Sequence, residues 1–254
     1  MLLPSLILSR SLRQFHKRNQ SAQPPLFVEL GAYNGITYSN TLMLEKCCSW
    51  SGVLLEANPF NFEQLNTTNR NATKVHSAVC DRNANGTVAF SATGGVFAGM
   101  VEVLGKTARR HAKGLTRVPC DTLTNLLERA HVHFVDFLSL DVEGSEELVL
   151  NNTNLHQIGF MVMEESAGAT SKALQRMNRA LSRAGLVKAD MGKFSTPSRS
   201  SVWGRAGTTF VPVAAPYERP SLRAALVKAS SIYDEATQSG GRHAQKGSEP
   251  RPLR

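Results

Sequence analysis

Short apolar runs alternate with helical patterns along most of this 254-residue chain, beginning at Phe27. Such alternation is typical of β–α–β units, in which parallel strands form a central sheet. The runs that indicate strands are 26–30, 52–56, 74–79, 134–140, 158–163, 186–190 and 208–213, with a further extended piece at 87–90. The last two runs are joined without a helix, which allows an antiparallel pairing. The sequence therefore predicts an α/β fold with a seven-stranded, mostly parallel sheet and an antiparallel last strand.

Side chains suited to capping mark where helices begin. Asn58 is suited to cap a helix that starts at Pro59, and Asp121 is suited to cap a later apolar stripe. A polar helix start is also expected near Thr37, soon after the first strand. Residues 93–117 contain five glycines that break any regular pattern. This composition indicates a solvated loop or, alternatively, a substrate lid with a basic rim.

The formal net charge of +9 lies largely toward the two ends of the chain. Residues 1–23 carry basic residues and no acid, which is typical of an organellar transit peptide or of a disordered start. Residues 24–215 form the expected domain, and residues 216–254 are expected to form a short helix and a disordered tail. No nucleic-acid recognition motif accompanies the charge, so no nucleic-acid partner is expected. No apolar run reaches the roughly 20 residues that span a bilayer.

The cysteines argue against a zinc site, because none of the four forms a C-x-x-C pair. Cys47 and Cys48 are adjacent, which suits apolar packing better than a structural disulfide. A reducing compartment, cytoplasmic or organellar, is the simplest interpretation. A secretory route stays open because there are four N-x-S/T sequons, which begin at Asn66, Asn71, Asn85 and Asn151.

The strongest functional motif is the run FVELGAYNG, residues 27–35, at the end of the first strand. Open α/β sheets bind ligands at such turns, and Gly31 and Gly35 let the backbone turn tightly and approach a ligand. A dinucleotide motif needs glycine where Tyr33 stands, which disfavours an NAD-dependent oxidoreductase. The Glu29 carboxylate suits an ammonium group and disfavours a pyrophosphate.

A second motif ends the next strand, where Glu56 follows the apolar run 52–55. A carboxylate at this position can accept two hydrogen bonds from ribose hydroxyls. Because the carboxyl ends of neighbouring parallel strands share one edge, Glu56 and the turn 31–35 are expected to shape a single crevice.

The third motif is a cluster of acids after the strand 134–140. Asp141 leaves this strand, and Glu143 and Glu146 follow within one turn. Clustered carboxylates are unfavourable unless they bind a positive group or share a proton. A sulfonium methyl group, an acceptor proton or a divalent metal would each serve. No ligand spacing demands a metal, so no metal site is predicted.

Three blocks, FVELGAYNGITYSNT, GVLLEANPFNFEQL and FLSLDVEGSEELVL, resemble the FkbM family of S-adenosylmethionine-dependent methyltransferases over about residues 25–165. The resemblance implies a Rossmann-like class I methyltransferase fold, S-adenosylmethionine as cofactor, and methyl transfer usually to oxygen. The cofactor-binding residues that it implies are Glu29, Gly31, Ala32, Tyr33, Asn34 and Gly35 for the methionine end, Glu56, Ala57 and Asn58 for the ribose, Ala78 and Val79 beside the adenine, and Asp141 near the methyl group.

The expected reaction needs a group that removes the proton of a hydroxyl acceptor. Asp141 is the first candidate for this base, Glu143 the second and Glu164 the third. The expected acceptor is a small molecule, a sugar or a lipid. The alternative is a non-catalytic binding or membrane-trafficking module, since some proteins similar to this family act in membrane transport. The cofactor-binding residues favour the enzyme, because a scaffold would not need them.

Overall fold

The computed structural model describes residues 24–91, 99–100, 115–165, 169–189 and 200–205. The strands are β1 (Leu26–Leu30), β2 (Ser51–Glu56), β3 (Thr73–His76), β4 (Ala78–Val79), β5 (Thr87–Ser91), β6 (Leu115–Asp121), β7 (Val135–Leu140), β8 (Ile158–Glu164), β9 (Leu186–Lys188) and β10 (Ser200–Arg205). The helices are α1 (Leu42–Cys48), α2 (Pro59–Thr67), α3 (Leu123–Arg129), α4 (Glu146–Asn151) and α5 (Ser171–Arg183), with a short 3-10 helix at Leu155–Gln157.

Seven strands form the main sheet in the spatial order β3-β2-β1-β7-β8-β10-β9. The first five are parallel neighbours, whereas β10 runs antiparallel to both β8 and β9. The predicted mostly parallel sheet with its antiparallel end is therefore confirmed. The chain builds outward from β1 in one direction and from β7 in the other, so the strand order reverses between these two strands. Ligands bind at such a reversal, beyond the carboxyl ends of the strands.

Apolar side chains cover both faces of this sheet, as expected of strands flanked by helices. Phe27 and Leu54 belong to one buried cluster, and their strand neighbours Val28 and Val53 belong to the other. Successive side chains of a strand point to opposite faces, so continuous apolar runs are needed to fill both clusters. This requirement explains why the strands could be predicted from apolar runs in the sequence.

A second sheet of three strands, in the order β4-β6-β5, stands beside the main one. The predicted single strand 74–79 is wrong, because the chain leaves the main sheet at Ser77 and Ala78 then pairs with Cys120. Strand β6 was not predicted. Its inward side chains Val118 and Cys120 alternate with exposed residues over too short a stretch to stand out. Residues 92–98 and 101–114 lie outside the described residues, so the loop or lid expected at 93–117 is untested there.

A disulfide joins Cys80, directly after β4, to Cys120 in β6. The two cysteines are separated by 40 residues, and no spacing rule connects them in the sequence. Both are buried. Cys47 and Cys48 are not part of a disulfide.

The helix boundaries agree in part with the sequence. Asn58 caps α2 by accepting a hydrogen bond from the amide of Phe60, as predicted. The cap of α3 is Thr122 and not Asp121, which is the last residue of β6. The helix expected near Thr37 begins only at Leu42, because the hydroxyls of Ser39 and Thr41 donate hydrogen bonds to Glu29.

The last described strand is β10 (Ser200–Arg205), whereas the predicted strand 208–213 lies outside the described residues. Strand β9 pairs antiparallel with β10, which was not predicted, because the sequence indicated only a polar link there. The pairing expected between 186–190 and 208–213 is untested. The segments 1–23 and 216–254 also lie outside the described residues. Within the described part of the chain, no helix is long and apolar enough to cross a membrane.

Candidate active site

A cavity of about 260 Å³ opens where the carboxyl ends of β1, β2, β7 and β8 meet. Residues of the loop that follows β1 line one side, and residues of the small sheet line the other. The cavity therefore lies at the strand-order reversal where the sequence predicted a crevice.

Gly31 allows the ends of β1 and β7 to lie side by side. Its φ of +73° is in the left-handed region, and a Cβ there would overlap the carbonyl oxygen of Asp141. Its amide and that of Ala32 both donate to the carbonyl oxygen of Leu55, at 3.1 and 3.0 Å. Gly35 has a different role, because a Cβ at this position would overlap the side chain of Leu65 in α2. Glycine at 35 serves helix packing and not the cavity.

Glu56 is held at the end of β2 by main-chain amides. Its Oε2 accepts a hydrogen bond of 2.7 Å from the amide of Tyr33, and its Oε1 accepts one of 2.8 Å from the amide of Asn58. Burial raises the pKa of Glu56 to about 7, although these hydrogen bonds act in the opposite direction. The turn after β1 and the acid after β2 thus form one hydrogen-bonded unit at the cavity wall.

Glu29 anchors the loop after β1 through its carboxylate. Oε1 accepts from the amide of Asn40 at 2.7 Å, and Oε2 accepts from the hydroxyls of Ser39 and Thr41 at 2.8 and 2.6 Å. Because Thr41 is bonded to Glu29, its side chain does not cap α1. The loop 31–41 is therefore a series of turns, and no helix N-terminus lies at the glycine turn.

Arg70 is a structural residue of the site that the sequence motifs did not reveal. Its buried guanidinium donates from Nε to Oε2 of Glu45 at 2.8 Å, from Nη2 to the hydroxyl of Thr41 at 2.9 Å, and from Nη1 to the carbonyl of Gly35. Burial alone would raise the pKa of Glu45, but the hydrogen bond and charge of Arg70 hold it below its usual value. Arg70 lies in the α2–β3 connection, where no local pattern marks it.

Three carboxyl groups meet at the cavity wall where β7 and β8 end. The sequence placed Asp141 and Glu143 in one cluster with Glu146, whereas the third member in the structure is Glu164. Each of Asp141, Glu143 and Glu164 offers an oxygen, and these oxygens all lie within 4.8 Å of one another. Burial raises the pKa of Asp141 to about 9, reinforced by a hydrogen bond to Glu164 and by the neighbouring negative charges. The pKa of Glu143 is raised by burial and by the charges of Glu164 and Glu146. This arrangement can share a proton or hold a divalent cation.

The backbone is strained at three positions of the cavity wall. Tyr33, Tyr38 and Glu143 have φ values of 50°, 61° and 51°, which residues other than glycine rarely adopt. Such strain persists only where surrounding contacts impose it, and it clusters at functional sites.

Most residues proposed from the sequence line this cavity: Glu29, Gly31, Ala32, Tyr33, Glu56, Ala57, Ala78, Val79, Asp141, Glu143 and Glu164. Asn34, Gly35 and Asn58 are not part of its lining. Asn34 instead accepts hydrogen bonds from the amides of Ile36 and Thr37 and so shapes the loop. The motifs did not reveal the lining residues Asn61, Phe90, Met100 and Ser139. The position of Asn61 could have been inferred from the sequence, because it lies on the first turn of the helix that Asn58 caps.

A family model, the methyltransferase FkbM domain, matches residues 29–186, which is more than half of the chain. The chain belongs to the FkbM methyltransferase family. This FkbM-family protein is an S-adenosylmethionine-dependent methyltransferase, and S-adenosylmethionine is its cofactor. Among curated proteins, no match to the chain is found.

Solved methyltransferase structures are similar to this FkbM-family chain at low sequence identity. A TehB-like S-adenosylmethionine-dependent methyltransferase from Corynebacterium glutamicum is 12% identical with a TM-score of 0.37, covering 77% of this chain and 86% of that one. A methyltransferase from Pyrococcus furiosus is 13% identical with a TM-score of 0.37, covering 76% and 81%. The glycopeptide N-methyltransferase MtfA, solved with sinefungin, is 10% identical with a TM-score of 0.32, covering 76% and 84%.

The residues of this FkbM-family site fit the cofactor. The main chain of Gly31 and Ala32, the carboxylate of Glu56 and the small side chain of Ala78 all lie along one cavity. A sulfonium nucleoside needs these three features, namely close backbone approach, an acceptor for ribose hydroxyls and room for a flat base.

Proposed function

We propose that this FkbM-family methyltransferase transfers a methyl group to an oxygen of a small-molecule, sugar or lipid acceptor, and not to nucleic acid. The observation that carries the proposal is the carboxyl cluster of Asp141, Glu143 and Glu164 at the cavity wall. A hydroxyl acceptor must lose a proton as it is methylated, and a carboxylate in contact with the cavity can accept that proton.

In this proposal the cofactor lies between the turn after β1 and the small sheet. Gly31, Ala32 and Tyr33 hold its methionine end, Glu56 accepts hydrogen bonds from its ribose, and Ala78 and Val79 pack beside its adenine. When bound, S-adenosylmethionine supplies an electrophilic methyl group on a sulfonium. The buried Phe90 and Met100, which also line the cavity, exclude water from this side.

The Asp141–Glu164 pair moves the proton. A hydrogen bond between two carboxyl groups requires one of them to be protonated, so the pair carries one proton and one negative charge. The anionic oxygen of the pair accepts the proton of the acceptor hydroxyl, which leaves both carboxyl groups neutral. Glu143 adds negative charge beside the pair and strengthens its affinity for a proton.

The test is incubation of the purified chain with methyl-labelled S-adenosylmethionine and a cell extract, followed by identification of the labelled product. The proposal predicts label in a small molecule, sugar or lipid, as an ether that resists alkali. A methyl ester would lose its label in alkali. Label on nitrogen, or label recovered in nucleic acid, would contradict the proposal, and the Asp141→Asn variant provides the background.

A further inference from the structure

We propose that Asn85 carries an N-linked glycan and that the chain matures in an oxidising compartment, where the Cys80–Cys120 disulfide forms. This proposal does not depend on the identity of the methyl acceptor. It rests on the disulfide, on the exposure of the sequons and on the geometry of one turn.

Main-chain hydrogen bonds hold both cysteines of the disulfide in the small sheet. The amide of Cys80 donates to the carbonyl of Asp121 at 3.0 Å, and the amide of Cys120 donates to the carbonyl of Gly86 at 2.9 Å. Both cysteines are buried, at 2% and 6% exposure. A bond so enclosed is shielded from reductants once formed, and persistent disulfides are a property of oxidising compartments.

The sequons are on the surface of the described structure. Asn66, Asn71, Asn85 and Asn151 are all exposed. Asn66 lies within α2 and Asn151 ends α4, so helical backbone constrains both. The main-chain amide of Asn71 donates to Glu45 in the buried network around Arg70.

Asn85 is the sequon best placed to accept a glycan. It lies in the turn that precedes β5, next to Gly86, whose φ is +72°. A Cβ at Gly86 would meet nothing within 4 Å, so the space around this turn is open. Asn85 itself is exposed, so its side chain is accessible to a bulky group.

A glycan at this turn leaves the cavity free. Strand β5 runs from Thr87 to Ser91, and Phe90 near its end lines the cavity. At roughly 3.3 Å per residue, five residues place Asn85 about 16 Å from that wall.

Both steps have defined chemistry. The amide nitrogen of Asn85 attacks C1 of a lipid-linked oligosaccharide, a C–N bond replaces the C–O bond, and the lipid pyrophosphate leaves with the amide proton. The thiols of Cys80 and Cys120 lose two protons and two electrons to the disulfide of a thiol oxidoreductase, which becomes a dithiol.

The experiment expresses the full chain with its own N-terminus in a eukaryotic cell. Free thiols are alkylated before digestion, and peptides are mapped by mass spectrometry with and without peptide N-glycosidase. We expect glycosidase to convert Asn85 to aspartate, Cys47 and Cys48 to be alkylated, and Cys80 to be recovered linked to Cys120.

Two variants of the same turn sharpen the result. Asn85→Gln is expected to lose the mass of one glycan, whereas Asn83→Gln, an exposed asparagine outside any sequon, is expected to retain it. An unmodified Asn85 peptide, or alkylated Cys80 and Cys120, would overturn the proposal.

Discussion

The main-chain amide of Tyr33 donates a hydrogen bond of 2.7 Å to Oε2 of Glu56. This contact joins the turn after β1 to the acid after β2, although the two residues are 23 positions apart. It also fixes the carboxylate of Glu56 at the cavity wall, where burial raises its pKa to about 7. The two sequence motifs on which the methyltransferase interpretation rests are thus parts of one structure.

Replacing Glu56 with glutamine should weaken cofactor binding. Glutamine keeps the shape of the side chain but removes an acceptor, at a cost of about 1–3 kcal/mol, or roughly tenfold or more in affinity. Calorimetric titration with S-adenosylmethionine measures the loss. Glu63→Gln, on the exposed side of α2, is the matched control. Equal affinity in Glu56→Gln and the unmodified chain would remove Glu56 from the cofactor site.

Replacing Asp141 with asparagine should lower methyl transfer more than cofactor binding. Asparagine cannot share a carboxyl proton with Glu164, and losing a general base typically costs about 10²–10⁴ in rate. Single-turnover transfer and calorimetric affinity, measured on the same preparation, separate the two effects. Glu147→Gln, whose glutamate pairs with Arg176 on the surface, should leave the rate unchanged. Full activity in Asp141→Asn would exclude the Asp141–Glu164 pair from proton transfer.

Cofactor-free protein should be less stable at pH 8 than at pH 6. The pKa of Glu56 is about 7 and that of Asp141 about 9 when folded, above the ordinary values of 4.5 and 3.8. The folded state therefore binds more protons than the unfolded state between about pH 4 and pH 9, and stability falls as the pH rises through this window. Glu56 alone should contribute about 1 kcal/mol between pH 6 and pH 8.

Urea unfolding at the two pH values measures this difference. Glu56→Gln and Asp141→Asn should each flatten the pH dependence, because an amide does not titrate. Stability that is equal or higher at pH 8 would contradict the assignment of raised pKa values.

Replacing Arg70 with methionine should destabilise the fold by about 3–5 kcal/mol, since it leaves the buried carboxylate of Glu45 unpaired. The double variant Arg70→Met/Glu45→Gln should recover part of this loss. Arg129→Met breaks an exposed ion pair with Asp121 and should cost about 1 kcal/mol or less. Denaturant unfolding compares the three variants, and similar losses for Arg70→Met and Arg129→Met would contradict the buried network.

Removing the disulfide through Cys80→Ala/Cys120→Ala should lower stability by about 4 kcal/mol, because the crosslink closes a loop of 40 residues. Cofactor affinity should also fall, since Ala78 and Val79 belong to the strand that the disulfide secures. Thermal unfolding and cofactor titration measure the two effects. The free cysteine Cys47 supplies the control variant Cys47→Ala, and an unchanged melting temperature in the double variant would contradict a structural role.

The sequence by itself determined the features that are written within one element. Strand β1 has the predicted bounds 26–30, Asn58 caps α2, and Glu56 and Asp141 stand where parallel strands end. Apolar runs and caps are local, because a strand buried on both faces and a helix start each impose their own pattern on adjacent residues.

The tertiary structure decided what depends on distant partners. Helix α1 begins later than predicted because Glu29 accepts hydrogen bonds from the hydroxyls of Ser39 and Thr41. The guanidinium of Arg70 connects the loop after β1 to Glu45. Cys80 forms a disulfide with Cys120. The split of 74–79 into β3 and β4 likewise arises because β6 offers Ala78 a partner outside the main sheet. A hydrogen bond or disulfide between residues 10 to 40 positions apart leaves no periodic trace, since only packing brings its two ends together.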